Sequence, residues 1–314
     1  MTDNPVNSCT ISVVIPAFNE AESIPELLDR IHQAINSMGR TYEVWVIDDG
    51  SDDGTYAAAA AVAQKRPEVH AVEFTRNHGK AAALQAGFDA SCGEIIITMD
   101  ADLQDDPAEI PALVAKIEQG WDLVSGWKQD RKDTLIKNQT SKIFNWVVSK
   151  SVGLRLHDFN CGLKAYRREV VESLKIYGEL HRFVPALAHR EGFRVAEIPV
   201  RHHKRTFGVT KYGPARFFNG FLDLMTLLFL SGRATSPLHL FGRIGIATFA
   251  VGAVIDLYFL VLWLAGNGLR LRPLLLLGVV LVLLSVQFIS LGLIAELVVA
   301  GHNPEQEYRV RRRI

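Results

Sequence analysis

The sequence has little cysteine, no excess of either charge and none of the common glycine-rich phosphate motifs. Its three cysteines, Cys9, Cys92 and Cys161, are far apart and form no Cys-x-x-Cys pair. This spacing argues against a disulfide framework or a zinc site, and it suits a reducing compartment. The formal net charge is +0 at pH 7, so the chain lacks the basic excess typical of proteins that bind nucleic acid.

Two further absences concern nucleotide binding and secretion. No Gly-x-Gly-x-x-Gly or Gly-x-x-x-x-Gly-Lys-Ser/Thr motif follows the first predicted strand, which disfavours dinucleotide-binding and P-loop proteins. Residues 1–8 are polar and carry Asp3, with no basic segment before an apolar one. We therefore expect no secretory signal peptide here.

Long apolar runs are present only near the end of the chain. Residues 244–264 are apolar except for Asp256, and residues 274–295 carry no charge. Each run reaches the ~20 residues that a helix needs to span a bilayer. The connector, residues 265–273, is short and contains two glycines and a proline. The sequence therefore predicts a transmembrane hairpin.

The arginines around this hairpin predict its orientation. Those outside the two runs are Arg233, Arg243, Arg309, Arg311, Arg312 and Arg313, whereas the connector holds only Arg270 and Arg272. The positive-inside rule then predicts an integral membrane protein of two spans with its large N-terminal part in the cytoplasm. Asp256, in mid-span, is either a functional carboxylate or a polar contact that fixes helix packing or a homo-oligomer. Ser285 and Gln287 lie at a depth suited to pairing with it.

Residues 10–126 alternate between strand and helix patterns. Strands are predicted at 10–16, 42–47, 69–74, 94–99 and 122–125, and helices at 23–37, 55–64, 80–91 and 107–119. This alternation is typical of an α/β fold with a mainly parallel sheet covered on both faces. Ser23 is the predicted N-cap of the first helix. The apolar face of that helix comprises Ile24, Leu27, Leu28, Ile31 and Ile35.

Two later stretches have helical patterns of mixed polarity. Residues 134–150 combine apolar and basic side chains, and they fit either a helix packed on the sheet or one near the membrane surface. Residues 214–230 are rich in Phe and Leu but keep charged residues, which suits an amphipathic helix in the membrane interface. The predicted segments are an α/β catalytic domain (1–212), an interfacial region (213–236), the hairpin (237–300) and a basic cytoplasmic tail (301–314).

The most informative motif is Asp100-Ala101-Asp102, which ends the fourth predicted strand. Carboxylates at the carboxyl edge of an open α/β sheet lie where such sheets bind ligands. They offer the oxygen ligands that Mg²⁺ or Mn²⁺ takes together with substrate phosphates. Asp49, Gln104 and the helix start at Lys80 follow neighbouring strands. The edge therefore predicts a site for a nucleoside diphosphate, with Asp49 near the base or ribose and an anion at the helix N-terminus.

Several ordered segments resemble glycosyltransferase family 2 enzymes, which have the GT-A fold. The segments are Val-Val-Ile-Pro-Ala-Phe-Asn-Glu (13–20), Asp-Asp-Gly-Ser-Asp-Asp-Gly-Thr (48–55), Asn-His-Gly-Lys (77–80) and Asp-Ala-Asp-Leu-Gln (100–104). Residues 158–168 and 205–211 resemble segments of dolichol-phosphate mannosyltransferases. The interfacial helix and hairpin fit the membrane-anchored bacterial members. The resemblance covers roughly residues 10–212 and implies a catalytic domain of the GT-A type that uses Mg²⁺ or Mn²⁺.

The resemblance also implies roles for individual residues. The nucleotide contacts would be Pro16, Phe18, Glu20, Ile47 and Asp49, with Phe18 in place of a frequent Tyr. The metal and diphosphate would be bound by Asp100, Ala101, Asp102 and Gln104, with the metal on Asp100, Asp102 and Gln104. The basic residues around the diphosphate would be Lys128, Arg182, Arg205 and Lys211. Lys128 replaces a usual Arg, so a bidentate phosphate contact becomes a point charge.

The catalytic residues implied in this way are Asp102, Asp158, Arg205 and Lys211. Asp158 occupies the position of a base, and we expect it to orient the donor or a basic residue as much as to take a proton. Lys137 and Lys142 are candidates for binding a lipid phosphate. The implied reaction is an inverting transfer of one sugar from a UDP- or GDP-hexose to polyprenyl (undecaprenyl or dolichyl) phosphate at the cytoplasmic membrane face.

Two alternatives differ in the class of protein. A processive polysaccharide synthase would share the N-terminal half but carry a Gln-x-x-Arg-Trp motif and more spans, and that motif is absent here. A non-catalytic membrane scaffold that binds sugar nucleotides would have no need to keep Asp100, Asp102, Gln104 and Lys211. The sequence therefore favours the single-sugar transferase.

Overall fold

A computed structural model describes residues 9–128, 148–149, 152–174, 176, 178, 180–203, 237–266 and 273–301. The chain divides into two compact units, Met1–Leu228 and Phe229–Ile314. The finer division into four segments stays a prediction. The predicted helices at 134–150 and 214–230 lie almost wholly outside the described residues.

The first unit alternates strands and helices, as predicted for residues 10–126. Its strands are β1 Ile11–Ala17, β2 Tyr42–Asp48, β3 Val69–Glu73, β4 Ile95–Thr98, β5 Leu123–Lys128, β6 Lys164–Arg167 and β7 Val195–Val200. Its helices are α1 Ile24–Asn36, α2 Thr55–Ala63, α3 Lys80–Ala90, α4 Ile110–Glu118, α5 Arg168–Ser173 and α6 Val184–Arg190. Two 3₁₀ turns are Pro107–Glu109 and Leu180–Phe183.

The seven described strands form one sheet in the order β3-β2-β1-β4-β6-β5-β7. β1 pairs in parallel with β2 and β4, β2 with β3, and β5 with β7. β6 runs antiparallel between β4 and β5, with Tyr166 opposite both Ile96 and Leu123. The predicted α/β class with a mainly parallel sheet is confirmed. The sequence patterns missed β6 because this segment is only four residues long and begins and ends with a basic side chain. It forms a strand by pairing with β4 and β5.

Helix α1 covers one face of the sheet with the apolar residues predicted for it, Ile24, Leu27, Leu28, Ile31 and Ile35, which are all buried. Ser23 stands at the N-cap position, as predicted, but its side chain makes no cap bond. The Ser23 hydroxyl donates instead to the Glu20 carbonyl at 2.9 Å. The helix predicted at 107–119 begins later than expected. Pro107 and Pro111 lack N–H donors, so a 3₁₀ turn, capped by Asp106, precedes α4.

The second unit is a helical hairpin of α7 (Pro237–Leu264) and α8 (Pro273–Gly301). Residues Leu238–Leu264 and Pro273–Leu297 are long and apolar enough to cross a membrane. The helices approach closely at glycine, since a Cβ on Gly252 would lie 2.8 Å from the Gly278 carbonyl oxygen. Small residues at such crossings allow close helix packing in membranes.

Polar groups inside this hairpin differ from the predicted pairing. The Ser285 hydroxyl donates to the Val282 carbonyl at 2.6 Å, and Gln287 is exposed. In the described part of the chain, the buried Oδ1 of Asp256 has no hydrogen-bond partner and packs against Gly278. The expectation that Ser285 or Gln287 pairs with Asp256 is therefore wrong, because a serine in a helix readily bonds the carbonyl of its own preceding turn.

Candidate active site

The candidate site lies at the carboxyl ends of β1, β2 and β4, as expected for a parallel sheet. Asp49 follows β2 and is 4% exposed. Its carboxylate accepts the backbone N–H groups of His78 at 2.7 Å and Gly79 at 2.9 Å. These amides stand at the start of α3, where we predicted an anion site. The Asp49 carboxylate occupies these amides and fixes the loop after β3 to the end of β2, so the anion site for a ligand stays a prediction.

The loops after β1 and β2 are tied to each other. The Glu20 backbone N–H donates to the Thr55 hydroxyl at 2.9 Å, and the Asp52 N–H donates to the Asn19 side-chain oxygen at 3.2 Å. Asn19 has a positive φ of 53°, which asparagine tolerates better than most residues. Among the predicted nucleotide contacts, Pro16, Phe18 and Glu20 are half-buried along this rim, and Ile47 is fully buried beneath it.

The acidic motif after β4 forms a tight turn around Leu103. Leu103 has a φ of 60° and is 2% exposed, an uncommon backbone conformation for a leucine. Such strain persists only where the surroundings over-determine it, and it is enriched at functional sites. The turn brings the Gln104 N–H to 3.2 Å from Asp102 Oδ1. Asp102 and Gln104 therefore stand on either side of an apolar anchor, and Ala101 is buried beside it.

Asp100 is bound differently from Asp102. Its carboxylate forms an ion pair with the Lys80 ammonium and packs so tightly on Gly162 that a Cβ there would lie 2.6 Å away. Burial alone would raise the pKa of the Asp100 carboxyl, but Lys80, and Lys128 after it, hold the pKa well below its ordinary value. Asp100 is thus an anion at neutral pH that already contacts one cation.

Lys128, predicted as a diphosphate contact, forms an ion pair with Asp105. Its Nζ lies 3.0 Å from Asp105 Oδ1, and the two side chains are 12% and 0% exposed. Burial opposes both charges, yet their attraction raises the pKa of Lys128 and lowers the pKa of Asp105. His202 Nδ1 lies 3.5 Å from the same oxygen. The sequence patterns did not single out Asp105, although it directly follows the metal motif.

A small buried cavity of about 10 Å³ lies beside Asp100, about the space of one water. Lys164 at its wall is buried and donates to the Cys161 carbonyl, and burial lowers the pKa of this ammonium. Burial, together with Lys80, also lowers the pKa of His181 to about 3, so His181 is neutral at physiological pH. Lys164 is a second residue of the site that the sequence patterns did not single out. A lysine flanked by buried apolar residues is the feature of the sequence that could have indicated it.

The remaining predicted residues are placed as follows. Asp158 is 4% exposed, and its Oδ1 accepts the Asn160 N–H at 3.1 Å. Arg182 is half-buried in the turn Leu180–Phe183. The other four, Lys137, Lys142, Arg205 and Lys211, lie outside the described residues. All the assigned roles stay predictions.

The structure brings two of the cysteines together at the opposite edge of the sheet. Ligand atoms of Cys9, Glu43 and Cys92 lie within 4.8 Å of one another, although the two thiols are far apart in the sequence. Glu43 is engaged with the protein itself, since it accepts the Ser12 hydroxyl at 2.6 Å and the Cys92 N–H at 2.7 Å. Burial, then Glu43, raises the pKa of Cys9 to about 12. This group is therefore a structural contact of protonated thiols around a buried carboxylate.

Comparisons with known proteins place this chain among the glycosyltransferases. The family model described as Glycosyl transferase family 2 matches residues 12–175, and the chain belongs to this family. It is 39% identical over 303 residues to dodecaprenyl-phosphate galacturonate synthase of Rhizobium johnstonii, with 95% of this chain and 90% of that protein covered. The family predicted from the motifs is confirmed.

Two further comparisons agree with this assignment. The chain is 39% identical over 293 residues to undecaprenyl-phosphate 4-deoxy-4-formamido-L-arabinose transferase of Pseudomonas paraeruginosa, covering 91% of this chain and 84% of that protein. Its fold is similar to glucosyl-3-phosphoglycerate synthase of Mycobacterium tuberculosis, solved with Mn²⁺ and uridine-diphosphate-glucose. The TM-score is 0.53 at 22% identity, covering 71% of this chain and 79% of the other. The GT-A fold predicted for the first unit is confirmed.

The residues of the acidic turn fit a divalent metal on chemical grounds. Asp102 offers a mostly buried carboxylate and Gln104 an amide oxygen, the oxygen donors that Mg²⁺ and Mn²⁺ take. Asp100 would share any metal with the Lys80 ammonium. The metal set Asp100, Asp102 and Gln104 therefore stays a prediction in which Asp102 and Gln104 are the better-suited pair.

Proposed function

We propose that this protein transfers a single sugar, with inversion, from a nucleoside-diphosphate sugar to polyprenyl phosphate at the cytoplasmic face of a membrane. The observation that carries the proposal is the 39% identity over 95% of the chain to a dodecaprenyl-phosphate galacturonate synthase. The acidic turn at the carboxyl edge of the sheet and the two apolar helices support the proposal. They would supply the two parts that such a reaction needs, a donor site and a membrane anchor.

The donor site would be assembled from the three strand ends. Asp49 would face the base or ribose, and Asp102 with Gln104 would hold Mg²⁺ or Mn²⁺ against the diphosphate. When bound, such a metal supplies Lewis-acid stabilisation of the charge that develops on the leaving diphosphate. Arg205 and Lys211 would add positive charge from the chain after β7.

The acceptor would need little activation. A phosphate monoester has its second pKa near ~6, so its oxygen is already largely anionic at neutral pH and attacks without a strong general base. Asp158, buried and bonded to the Asn160 N–H, would then orient the donor or a basic residue. A direct attack on the anomeric carbon by the acceptor oxygen is a single displacement, and it inverts the configuration.

The membrane would supply the acceptor. The hairpin of α7 and α8 would span the bilayer, and the flanking arginines would keep the catalytic unit in the cytoplasm. A polyprenyl phosphate could then present its headgroup to the site while its tail stays in the lipid. Lys137 and Lys142 are the proposed contacts of the lipid phosphate.

The test is sugar transfer by the full-length protein in detergent. Radiolabelled galacturonate, 4-deoxy-4-formamido-L-arabinose, glucose and mannose would be offered as UDP or GDP donors with polyprenyl phosphate, and with Mg²⁺, Mn²⁺ or EDTA. We expect label to enter the lipid phase from one donor and only with metal. Asp102→Asn should lower the rate roughly 100-fold, since a metal supplies several kcal/mol of transition-state stabilisation.

Asp29→Asn is the matched control, because Asp29 is exposed on α1 and pairs only with Arg66 in the described structure. It should leave the rate unchanged. If no donor labels the lipid while the nucleotide still binds in the presence of metal, the proposed reaction is refuted. If Asp102→Asn retains full activity, the proposed metal ligand is refuted and the reaction stands.

A further inference from the structure

Two adjacent histidines at the end of β7 contact the acidic turn after β4. His202 forms an isolated antiparallel bridge with Asp105, and the His203 N–H donates to the Gln104 carbonyl at 2.7 Å. His203 Nε2 lies 3.1 Å from Asp106 Oδ2. The side-chain nitrogen of Gln104 also lies 3.5 Å from the His203 carbonyl oxygen. We call His202 and His203 the histidine strap, because both contact the acidic turn.

A buried charge fixes the inner side of the same turn. Asp105 is fully buried and faces both the Lys128 ammonium at 3.0 Å and His202 Nδ1 at 3.5 Å. The segments that follow β4 and β7 and the last residue of β5 are therefore joined at one carboxylate. The acidic turn is held on both sides, on the inside through Asp105 and on the outside through His203.

The backbone of the turn explains why such support is needed. Leu103 holds a φ of 60°, and left-handed backbone is unfavourable at a residue that carries a Cβ. Without external contacts the turn would relax, and Asp102 and Gln104 on either side of Leu103 would lose their relative placement. The histidine strap supplies contacts to Gln104, Asp105 and Asp106, all within three residues of the strained position.

We propose that His203 is a positioning residue that holds Gln104 and Asp102 in the arrangement that binds the metal and the donor diphosphate. This inference rests on the proposed function. The contact of the Gln104 amide nitrogen with the strap leaves the amide oxygen to face a cation.

The test compares His203→Ala with wild type in the full-length protein. Mn²⁺ binding in the presence of UDP would be measured by electron paramagnetic resonance, which reports binding without turnover. The variant keeps both backbone bonds to Gln104 and removes only the side-chain contact with Asp106. We expect the Kd for Mn²⁺ to rise by up to roughly 10-fold, the lower end of what the loss of an outer-shell partner costs. The kcat at saturating Mn²⁺ should fall much less than the affinity. The thermal midpoint should stay unchanged, because the His203 side chain is 48% exposed.

Two further variants separate positioning from general damage. His203→Gln retains a donor toward Asp106 and should restore most of the Mn²⁺ affinity. His32→Ala removes a similar histidine–carboxylate contact, His32 Nδ1 to Glu68 Oε1 at 3.5 Å, at the opposite edge of the sheet. It should leave Mn²⁺ binding unchanged.

The outcomes distinguish this inference from the proposed function. Equal Mn²⁺ affinity in His203→Ala and wild type overturns the inference, and so does an equal loss in His32→Ala. Absence of any Mn²⁺ binding by wild type overturns it together with the proposed metal site. If wild type transfers no sugar but His203→Ala still weakens Mn²⁺ binding, the positioning role stands and the proposed reaction fails.

Discussion

Replacing Asp105 by asparagine should destabilise the catalytic unit more than most single changes in it. The substitution keeps the shape of the side chain but leaves the Lys128 ammonium, 12% exposed, without its carboxylate partner at 3.0 Å. Breaking a buried ion pair by removing one partner costs about 3–5 kcal/mol, because an uncompensated charge stays in the interior. Lys128→Met should cost a similar amount, since it leaves the buried Asp105 carboxylate without its ammonium partner.

The double variant Asp105→Asn/Lys128→Met gives the sharper expectation. Replacement of both partners of a buried pair is often close to neutral, so the double variant should be more stable than either single variant. A coupling energy of about 2 kcal/mol or more is therefore expected from the double-mutant cycle. For a unit of this size each kcal/mol shifts the unfolding midpoint by about 2–4 °C, so each single variant should unfold roughly 6–20 °C below wild type.

The assay is thermal unfolding of the full-length protein in detergent, followed by circular dichroism, alongside the KM for the donor. A Lys128→Met variant that unfolds at the wild-type temperature but has a roughly tenfold higher donor KM would refute the reasoning. Such a result would show that the Lys128 ammonium serves the diphosphate, as the family resemblance implies, and that its pairing with Asp105 contributes little to stability. Additive effects in the double variant would refute it as well.

Three other predictions concern neighbouring parts of the structure. Gly162→Ala should reduce sugar transfer roughly 10-fold or more, because the new Cβ would lie 2.6 Å from the Asp100 carboxylate and displace it. A displacement near 1 Å is costly in an active site. Wild-type kinetics in this variant would contradict the packing. Glu43→Gln should lower the free energy of unfolding by about 1–3 kcal/mol, because the hydrogen bonds from the Ser12 hydroxyl and the Cys92 N–H become weaker. The KM for the sugar donor should stay unchanged, and a raised KM would contradict a purely structural role. The depressed pKa of Asp105 and the raised pKa of Lys128 predict that their stabilisation is lost as the pH falls below about 4 and as it rises above about 10.4. The acid limb should flatten in Asp105→Asn, and an unchanged pH profile of the unfolding midpoint would contradict it.

The sequence was sufficient to predict those helices and strands whose hydrophobic periodicity is strong within the segment itself. The apolar positions of α1, the buried runs of β1 and β4 and the two long apolar helices were predicted to within a few residues. Their patterns depend on burial of one face or of the whole segment, which each segment encodes by itself. The acidic motif could also be placed, because the end of a parallel strand always lies at the same edge of its sheet.

The partners of the charged residues could not be predicted in the same way. Lys128 looked like a phosphate contact, and the structure joins it to Asp105. The Lys128–Asp105 pair depends on the antiparallel insertion of β6 between β4 and β5. No local sequence pattern in Lys164–Arg167 predicts that placement. In the same way, no local pattern around His202 and His203 predicts their contacts with the acidic turn, which only the tertiary structure shows.

The sequence by itself determined the family, the α/β class, the two long apolar helices and the identity of the chemical groups at the sheet edge. These follow from short-range order along the chain, namely motif spacing, hydrophobic period and the length of apolar runs. The tertiary structure alone decided which charges are compensated. It paired Asp100 with Lys80 and Asp105 with Lys128, and it placed Asp49 on the amides at the start of α3. Such choices depend on distances of a few ångströms between segments remote in sequence, because the electrostatic energy of a buried pair changes steeply over that range.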